Sequence, residues 1–394
     1  MAKYEITDMP PPRIRHWIPL FAVVIIITPI TIVARMLPFF DMSILEDPLQ
    51  SADSYLRFGR DNTFKILQLS DLHYGEAPDQ PWGPEQDFNT TRVINKMLDY
   101  ENPDFTVLVG DIVTGEGIHT LQDATTYYQI PLNTISSRNY KFASVFGNHD
   151  IGPAFDRHDL ITIERNYSTS YTRAGPRTIS GVSNYCLPVY AYQRRLKWWE
   201  KLYKWVKSTA DIEVEKPSWM LYFMDSNGDS HTPNAPNWVN ASQVAWLNKT
   251  ITDTNVKFGA IPSLVFYHIP VYEYRITLEK HFTEECKGLV AEWDIAFQNG
   301  DEGFFKLLFE SRVVKATFTG HDHGSGWRCS YSPYMNTTED DGHRVDLCFG
   351  RHTGYGGYWQ PSFGDRGARG ILLNRDGSMN TWVRLENGSL IDPQ

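Results

Sequence analysis

Long hydrophobic runs are scarce in this 394-residue chain. Only Ile18 to Val33 (IPLFAVVIIITPITIV) is continuously apolar beyond a strand's length, so at most one membrane segment can be read. Cysteine is sparse too. The four, Cys186, Cys286, Cys329 and Cys348, show no CxxC spacing, which argues against a structural zinc knuckle while permitting disulfides. No block of Lys and Arg offsets the formal net charge of −10, so broad electrostatic attraction to nucleic acid is not expected. There is no internal repeat, which excludes a solenoid or propeller. With 41% apolar, 14% aromatic and 21% charged residues, the chain can bury a large core.

The apolar run is long for a signal-peptide core and sufficient, with its flanks, to cross a bilayer. Lys3, Arg13 and Arg15 precede it and Asp41, Glu46, Asp47 and Asp53 follow, which orients the N-terminus to the cytoplasm. Bulky Ile32 lies two positions before Ala34, a poor cleavage site. The expected organisation is a cytoplasmic stretch 1–16, a signal anchor 17–37, a polar connector 38–62 and one catalytic domain 63–394. Secretion after cleavage is the alternative. Six N-x-S/T sequons, at Asn89, Asn166, Asn240, Asn248, Asn336 and Asn387, favour a lumenal or extracellular location. There the cysteines could oxidise, and Cys329 with Cys348, flanking a polar insert, is the expected pair.

From Thr63 onward, short apolar runs alternate with helical patterns. Strands are predicted at Phe64–Leu69, Phe105–Val109, Phe142–Phe146, Trp219–Met224, Ser263–Tyr267, Val313–Phe318 and Val345–Phe349. Helices are predicted at Phe88–Tyr100, Thr120–Ser136 (interrupted by Pro131), Asp156–Tyr167 and Ser242–Thr250, the last capped near Asn240. This order implies an α/β layered fold, and Ile371–Asn374 with Thr381–Glu386 suggest a second sheet.

Five polar clusters end five of those strands: Asp71-Leu-His73, Gly110-Asp111, Gly147-Asn148-His149-Asp150, His268, and Gly320-His321-Asp322-His323. Singly each is weak, since Gly-Asp at a strand end is commonly a turn. Together they converge, because ligands of open α/β sheets gather beyond the carboxyl ends of the strands. A two-metal site needs a bridging carboxylate, several neutral nitrogens and oxygens, and open positions. Asp111 is the best bridge.

The order DxH, GD, GNHD, H, GHxH resembles the signature of the calcineurin-like metallophosphoesterases. Longer stretches (GDIVTGEG, GPRTISGVSNY, FYHIPVYEYR, TGHDHGSGW, FGRHTGYGGY) resemble a fungal branch with a dosage-dependent cell-cycle-regulator phosphatase, and the atypical plant purple acid phosphatases. The resemblance implies a two-sheet β-sandwich flanked by helices. It implies one metal on Asp71, His73, Asp111 and His323, and another on Asp111, Asn148, His268 and His321. The cofactors would be two divalent or mixed-valence ions, with Fe, Mn and Zn suiting the donors equally. Purple acid phosphatases carry a tyrosine three residues after the bridging Asp; here that position is Thr114, so a coloured tyrosinate–iron centre is not expected.

The implied chemistry is hydrolysis of a phosphorylated protein or small molecule by a hydroxide that the metal pair activates. His149 would stabilise the transition state or protonate the leaving oxygen, with Asp150 orienting its ring. Arg351 and His352 would contact phosphate. A phosphodiesterase acting on nucleotides or lipids is the runner-up, with Tyr355, Tyr358 and Trp359 shaping a base pocket. An inactive, metal-free binding module is the alternative from another class. The topology makes a direct prediction: endoglycosidase treatment should shift the protein's electrophoretic mobility, and extraction should require detergent. No shift together with recovery in a soluble cytosolic fraction would overturn that topology.

Overall fold

Most strands of this protein are apolar on both faces, as expected of strands buried between two layers. In Trp219–Phe223 (β6), Leu221 and Phe223 face one core while Met220 and Tyr222 face another. The computed structural model describes residues 55–193, 215–232, 235–282, 286–335 and 337–392. The run Ile18 to Val33 therefore lies outside the described residues, as does Asn336. No helix among the described residues is long and apolar enough to cross a membrane.

Two sheets pack face to face. The six-stranded sheet joins parallel strands Thr63–Leu69 (β2), Phe105–Val109 (β3) and Phe142–Val145 (β4) to antiparallel Gly367–Asn374 (β12), Met379–Leu385 (β13) and Leu390–Ile391 (β14). The late strands thus do not build a second sheet; β12 pairs with β2, from Arg369 opposite Gln68 to Asn374 opposite Thr63. The eight-stranded sheet runs Leu56–Arg57 (β1), Tyr185–Tyr190 (β5), β6, Ser263–Phe266 (β7), Val314–Thr319 (β9), Val345–Phe349 (β11), Ser325–Tyr331 (β10) and Lys287–Val290 (β8). Its centre, β6-β7-β9-β11, is parallel. Strands β5, β8 and β10 lacked a legible pattern: β5 contains Pro188, and β10 (SGWRCSY) alternates small and polar residues with large ones. The expected connector contributes β1, where Leu56 and Phe58 are buried.

Between the sheets Phe223, Phe266 and Phe318 stack in a ladder, with centroids 5.4 and 5.2 Å apart, and Tyr185 stacks on Phe223 at 4.5 Å. Stacked rings bury large area and fix the lateral order of strands. Helices Trp82–Glu101 (α1), Leu121–Ser136 (α2) and Arg157–Glu164 (α3) cover the six-stranded sheet. Pro131 does not interrupt α2. Tyr128, Pro131, Leu132 and Ile135 are all buried, so packing outweighs a missing backbone bond. Helix Ala241–Phe258 (α4) lies against the other sheet and starts with a capping box between Asn240 and Gln243.

The expected Cys329–Cys348 pair is not formed; the disulfide joins Cys286 to Cys329, and Cys186 and Cys348 are buried thiols outside it. Side chains alternate across a sheet, and Cys329 opposes Leu347, not Cys348. Cys329 therefore faces the outer core and Cys348 the inter-sheet core. The sequons divide as well: Asn89 and Asn248 sit within α1 and α4, whereas Asn166 and Asn387 are exposed outside helices and strands. Alkylation of the unreduced, denatured protein should modify only Cys186 and Cys348, and reduction should expose Cys286 and Cys329. A peptide linking Cys329 to Cys348 would contradict this register.

Candidate metal centre

The turns after β2, β3, β4, β7 and β9 meet where the carboxyl ends of both sheets converge, and they bring the five clusters together. Backbone contacts cross between the sheets here. Asp71 Oδ1 accepts from the His321 amide at 2.8 Å, and His268 Nδ1 lies 2.9 Å from the Val109 carbonyl. Asp71, His73, Asp111 and His321 all have left-handed backbone, with φ of 56°, 51°, 49° and 76°. That conformation costs a non-glycine residue on the order of 1 kcal/mol, and persists where surrounding structure over-determines it.

Two groups of side chains could each hold a cation. Asp71, His73 and His323 form one, Asp111, His268 and His321 the other, and within each the ligand atoms lie within 4.8 Å of one another. Asp111 Oδ2 stands between them, 2.9 Å from His268 Nε2 and 3.7 Å from His73 Nε2. Three of the four rings are oriented by their Nδ1 atoms. His268 Nδ1 faces the Val109 carbonyl, His323 Nδ1 the Tyr358 carbonyl at 2.7 Å, and His73 Nδ1 the Thr114 hydroxyl at 3.1 Å. With those Nδ1 atoms engaged, the Nε2 atoms turn inward toward the site.

The donor set fits a cation pair. His73 Nε2 and Asn148 Oδ1 are buried acceptors with no hydrogen-bond partner, and His321 Nδ1 lies 3.3 Å from His268 Nε2. Converging buried acceptors are expensive unless a cation or proton sits among them. Burial pushes His73 down to about 4, and burial with His268 nearby pushes His321 down to about 3, so both favour the neutral, metal-binding form. Burial pushes the Asp71 carboxyl up to about 6, while the His268 charge opposes it. Burial also works against ionised Asp111, but His268 and His149 outweigh it and hold the carboxyl well below its usual range.

His149 stands at the rim, its ring 5.0 Å from that of His73. Its Nδ1 is held at 2.6 Å by Glu116, a residue the sequence did not single out. Asp150 does not reach that ring. Its carboxylate accepts from the amides of Ile112, Val113 and Gly147 at 2.8, 3.1 and 2.8 Å, tying the turn after β3 to the turn after β4. Arg351, expected on phosphate, is buried and donates to the carbonyls of His323, Phe363 and Asp365. His352 is buried against His323, with ring centroids 3.8 Å apart, and lies outside the cleft lining. Tyr358 stacks one face on His323 at 4.1 Å and its hydroxyl donates to Glu292, while the Tyr355 hydroxyl donates to Glu386.

The cleft above these groups encloses about 490 Å³ and is lined by Glu76, Thr114, His149, Glu292 and Tyr358 together with the candidate ligands His73, Asp111, His321 and His323. Gly147 packs closely against two of the ligands. A Cβ there would lie 2.2 Å from Asp111 Oδ1 and 2.8 Å from the His268 ring. Gly147→Ala should therefore displace Asp111, lowering metal content and activity together. Elemental analysis beside an unfolding curve checks this, and full metal content would show that Asp111 does not depend on that approach.

The chain is 27% identical over 374 residues to "Probable inactive purple acid phosphatase 29" of Arabidopsis thaliana, covering 86% of this chain and 87% of that one. It is 28% identical over 360 residues to "Phosphatase DCR2" of Saccharomyces cerevisiae, covering 87% of this chain and 57% of the yeast protein. A solved dimetal phosphatase from Danio rerio is 14% identical, covering 81% of this chain and 98% of its own, with a TM-score of 0.48. The model of the calcineurin-like phosphoesterase family matches residues 64–325, a span that contains every candidate ligand from Asp71 to His323, and the chain belongs to that family of phosphoric ester hydrolases.

Proposed function

We propose that the protein is a phosphomonoesterase, a reading carried by one observation: the Asp111 carboxylate stands between two ligand groups, beneath a histidine braced by a carboxylate. Asp71, His73, Asp111 and His323 would hold one cation; Asp111, Asn148, His268 and His321 would hold the second. Such a pair, when bound, supplies Lewis acidity toward the phosphoryl oxygens and an acidified water as nucleophile. Asp111 accepts the His149 amide at 2.9 Å, so the turn that carries this carboxylate is tied to the turn that carries the rim histidine. Glu116 fixes the His149 ring, which then donates a proton to the departing oxygen or a hydrogen bond to phosphate. No Lys or Arg lies among the described residues lining the cleft, so positive charge for a phosphate dianion would come from the site's cations and His149.

The residue at position 114 supports a colourless centre, since the Thr114 hydroxyl meets His73 and offers no phenolate. A phosphodiesterase would use the same groups, and a panel of mono- and diesters separates the two. The Cys286–Cys329 disulfide and the sequons support placing the catalytic unit on the lumenal or extracellular side, behind a membrane segment at 17–37.

Two substitutions divide the labour. Asp111→Ala should lose both metals and activity, because it removes the carboxylate that stands between the two groups. His149→Ala should keep the metals and lose roughly 10²–10⁴ in rate, the usual scale for a positioned acid or base. That loss should shrink for aryl phosphates, whose leaving groups need little protonation. Metal analysis with rates on alkyl and aryl phosphates tests both; a metal-free His149→Ala protein, or one fully active on alkyl phosphates, would refute the assignment.

A further inference from the structure

A second cavity, of about 560 Å³, opens at the pole opposite the metal cleft, where β6, β7 and β9 begin and β12 turns into β13. Lys216, Arg312, Lys315 and Arg375 line it, against a single acid, Asp376. Four cations in one concavity stand out in a chain of net charge −10. Arg312 is paired with Asp341 at 2.8 Å. Arg375 reaches only the Asn62 side chain, at 3.4 Å, and Lys216 and Lys315 make no ion pair with any described residue. The backing wall is apolar, from Ile261, Pro262 and Val313. A concave, low-dielectric wall focuses the field of unpaired cations and draws in anions.

The chain's connections at this pole indicate which anion. Tyr55, the first described residue, packs on Tyr190 with centroids 5.2 Å apart, next to the cavity's Ala191. The described chain also leaves this pole after Gln193 and returns at Glu215, beside Lys216. Between them the sequence 194–207 reads RRLKWWEKLYKWVK, with six Lys and Arg interleaved among three Trp and a Tyr rather than gathered in a block. By composition alone that stretch suits the headgroup region of a negatively charged bilayer.

We propose that the cavity lined by Lys216, Lys315, Arg312 and Arg375 binds the phosphate headgroup of anionic lipids, seating this pole on a membrane. The metal cleft then faces away from the bilayer and takes its substrate from the aqueous side.

The test uses the full chain, partitioned onto phosphatidylcholine vesicles with and without phosphatidylserine. An apolar segment contributes equally to both, so the readout is the ratio of the two affinities. The wild-type ratio should exceed one and fall with salt. Combined Lys216→Gln, Lys315→Gln and Arg375→Gln should reduce it by about fivefold per charge removed. Metal content and hydrolysis rate should not change, since none of the three lies in the cleft. Removing equal charge elsewhere, with Lys249→Gln, Lys257→Gln and Lys306→Gln, should leave the ratio intact. The proposal fails if the wild type shows no anionic preference, if the cavity variant retains it, or if the control loses as much. It also fails if inorganic phosphate raises the wild-type unfolding temperature while vesicles show no preference, for then the site takes a free anion.

Discussion

A buried carboxylate needs positive charge beside it, and Asp111 sets the terms for this molecule. It is 1% exposed, lies 2.9 Å from His268 and 3.7 Å from His73, and accepts the His149 amide. Breaking such an arrangement by removing one partner leaves an uncompensated charge in low dielectric, which typically costs about 3–5 kcal/mol. The surrounding architecture follows from that constraint. Left-handed turns at Asp71, His73, Asp111 and His321 are held by cross-sheet hydrogen bonds, and Asp150 ties two of the loops together. Arg157 braces the third side, donating to the carbonyls of Gly147 and Gly228 at 2.7 and 2.6 Å.

The charge inventory of the cleft bears on the choice between an enzyme and an inert binding module. Glu76, Asp111, Glu292 and Asp322 line it. A phosphate dianion entering without cations would meet these carboxylates and only His149 in compensation, an arrangement that repels the ligand. With cations bound, the same acids become a counter-charge that keeps the site from being overly electropositive. Glu292 also has a structural duty, since it receives the Tyr358 hydroxyl that in turn accepts the His323 amide.

The ligand clusters were legible because each ends a strand whose apolar run is unmistakable; β3 and β11 match their expected bounds. Roles that depend on where a side chain turns were not. Asp150 and Glu116 both lie near the motif in sequence, but only the fold shows that Asp150 points back at amides while Glu116 reaches His149. Arg351 follows a strand that ends at the cleft, yet its guanidinium is consumed by three carbonyls behind it. Likewise the disulfide turned on strand parity, and β8, which brings Cys286 to Cys329, is too short and mixed to show a period.

By itself, the sequence determined the chemistry of this protein: which residues could bind metal, that they end strands, and that five such ends belong to one α/β unit. Metal-ligating residue types are few, and their spacing along short strands is local information. Tertiary structure alone decided which carboxylate serves His149, which cysteines pair, that the late strands extend the first sheet, and that unpaired cations gather at the far pole. Those outcomes depend on register between strands distant in the chain, where a shift of one residue reverses the face each side chain presents.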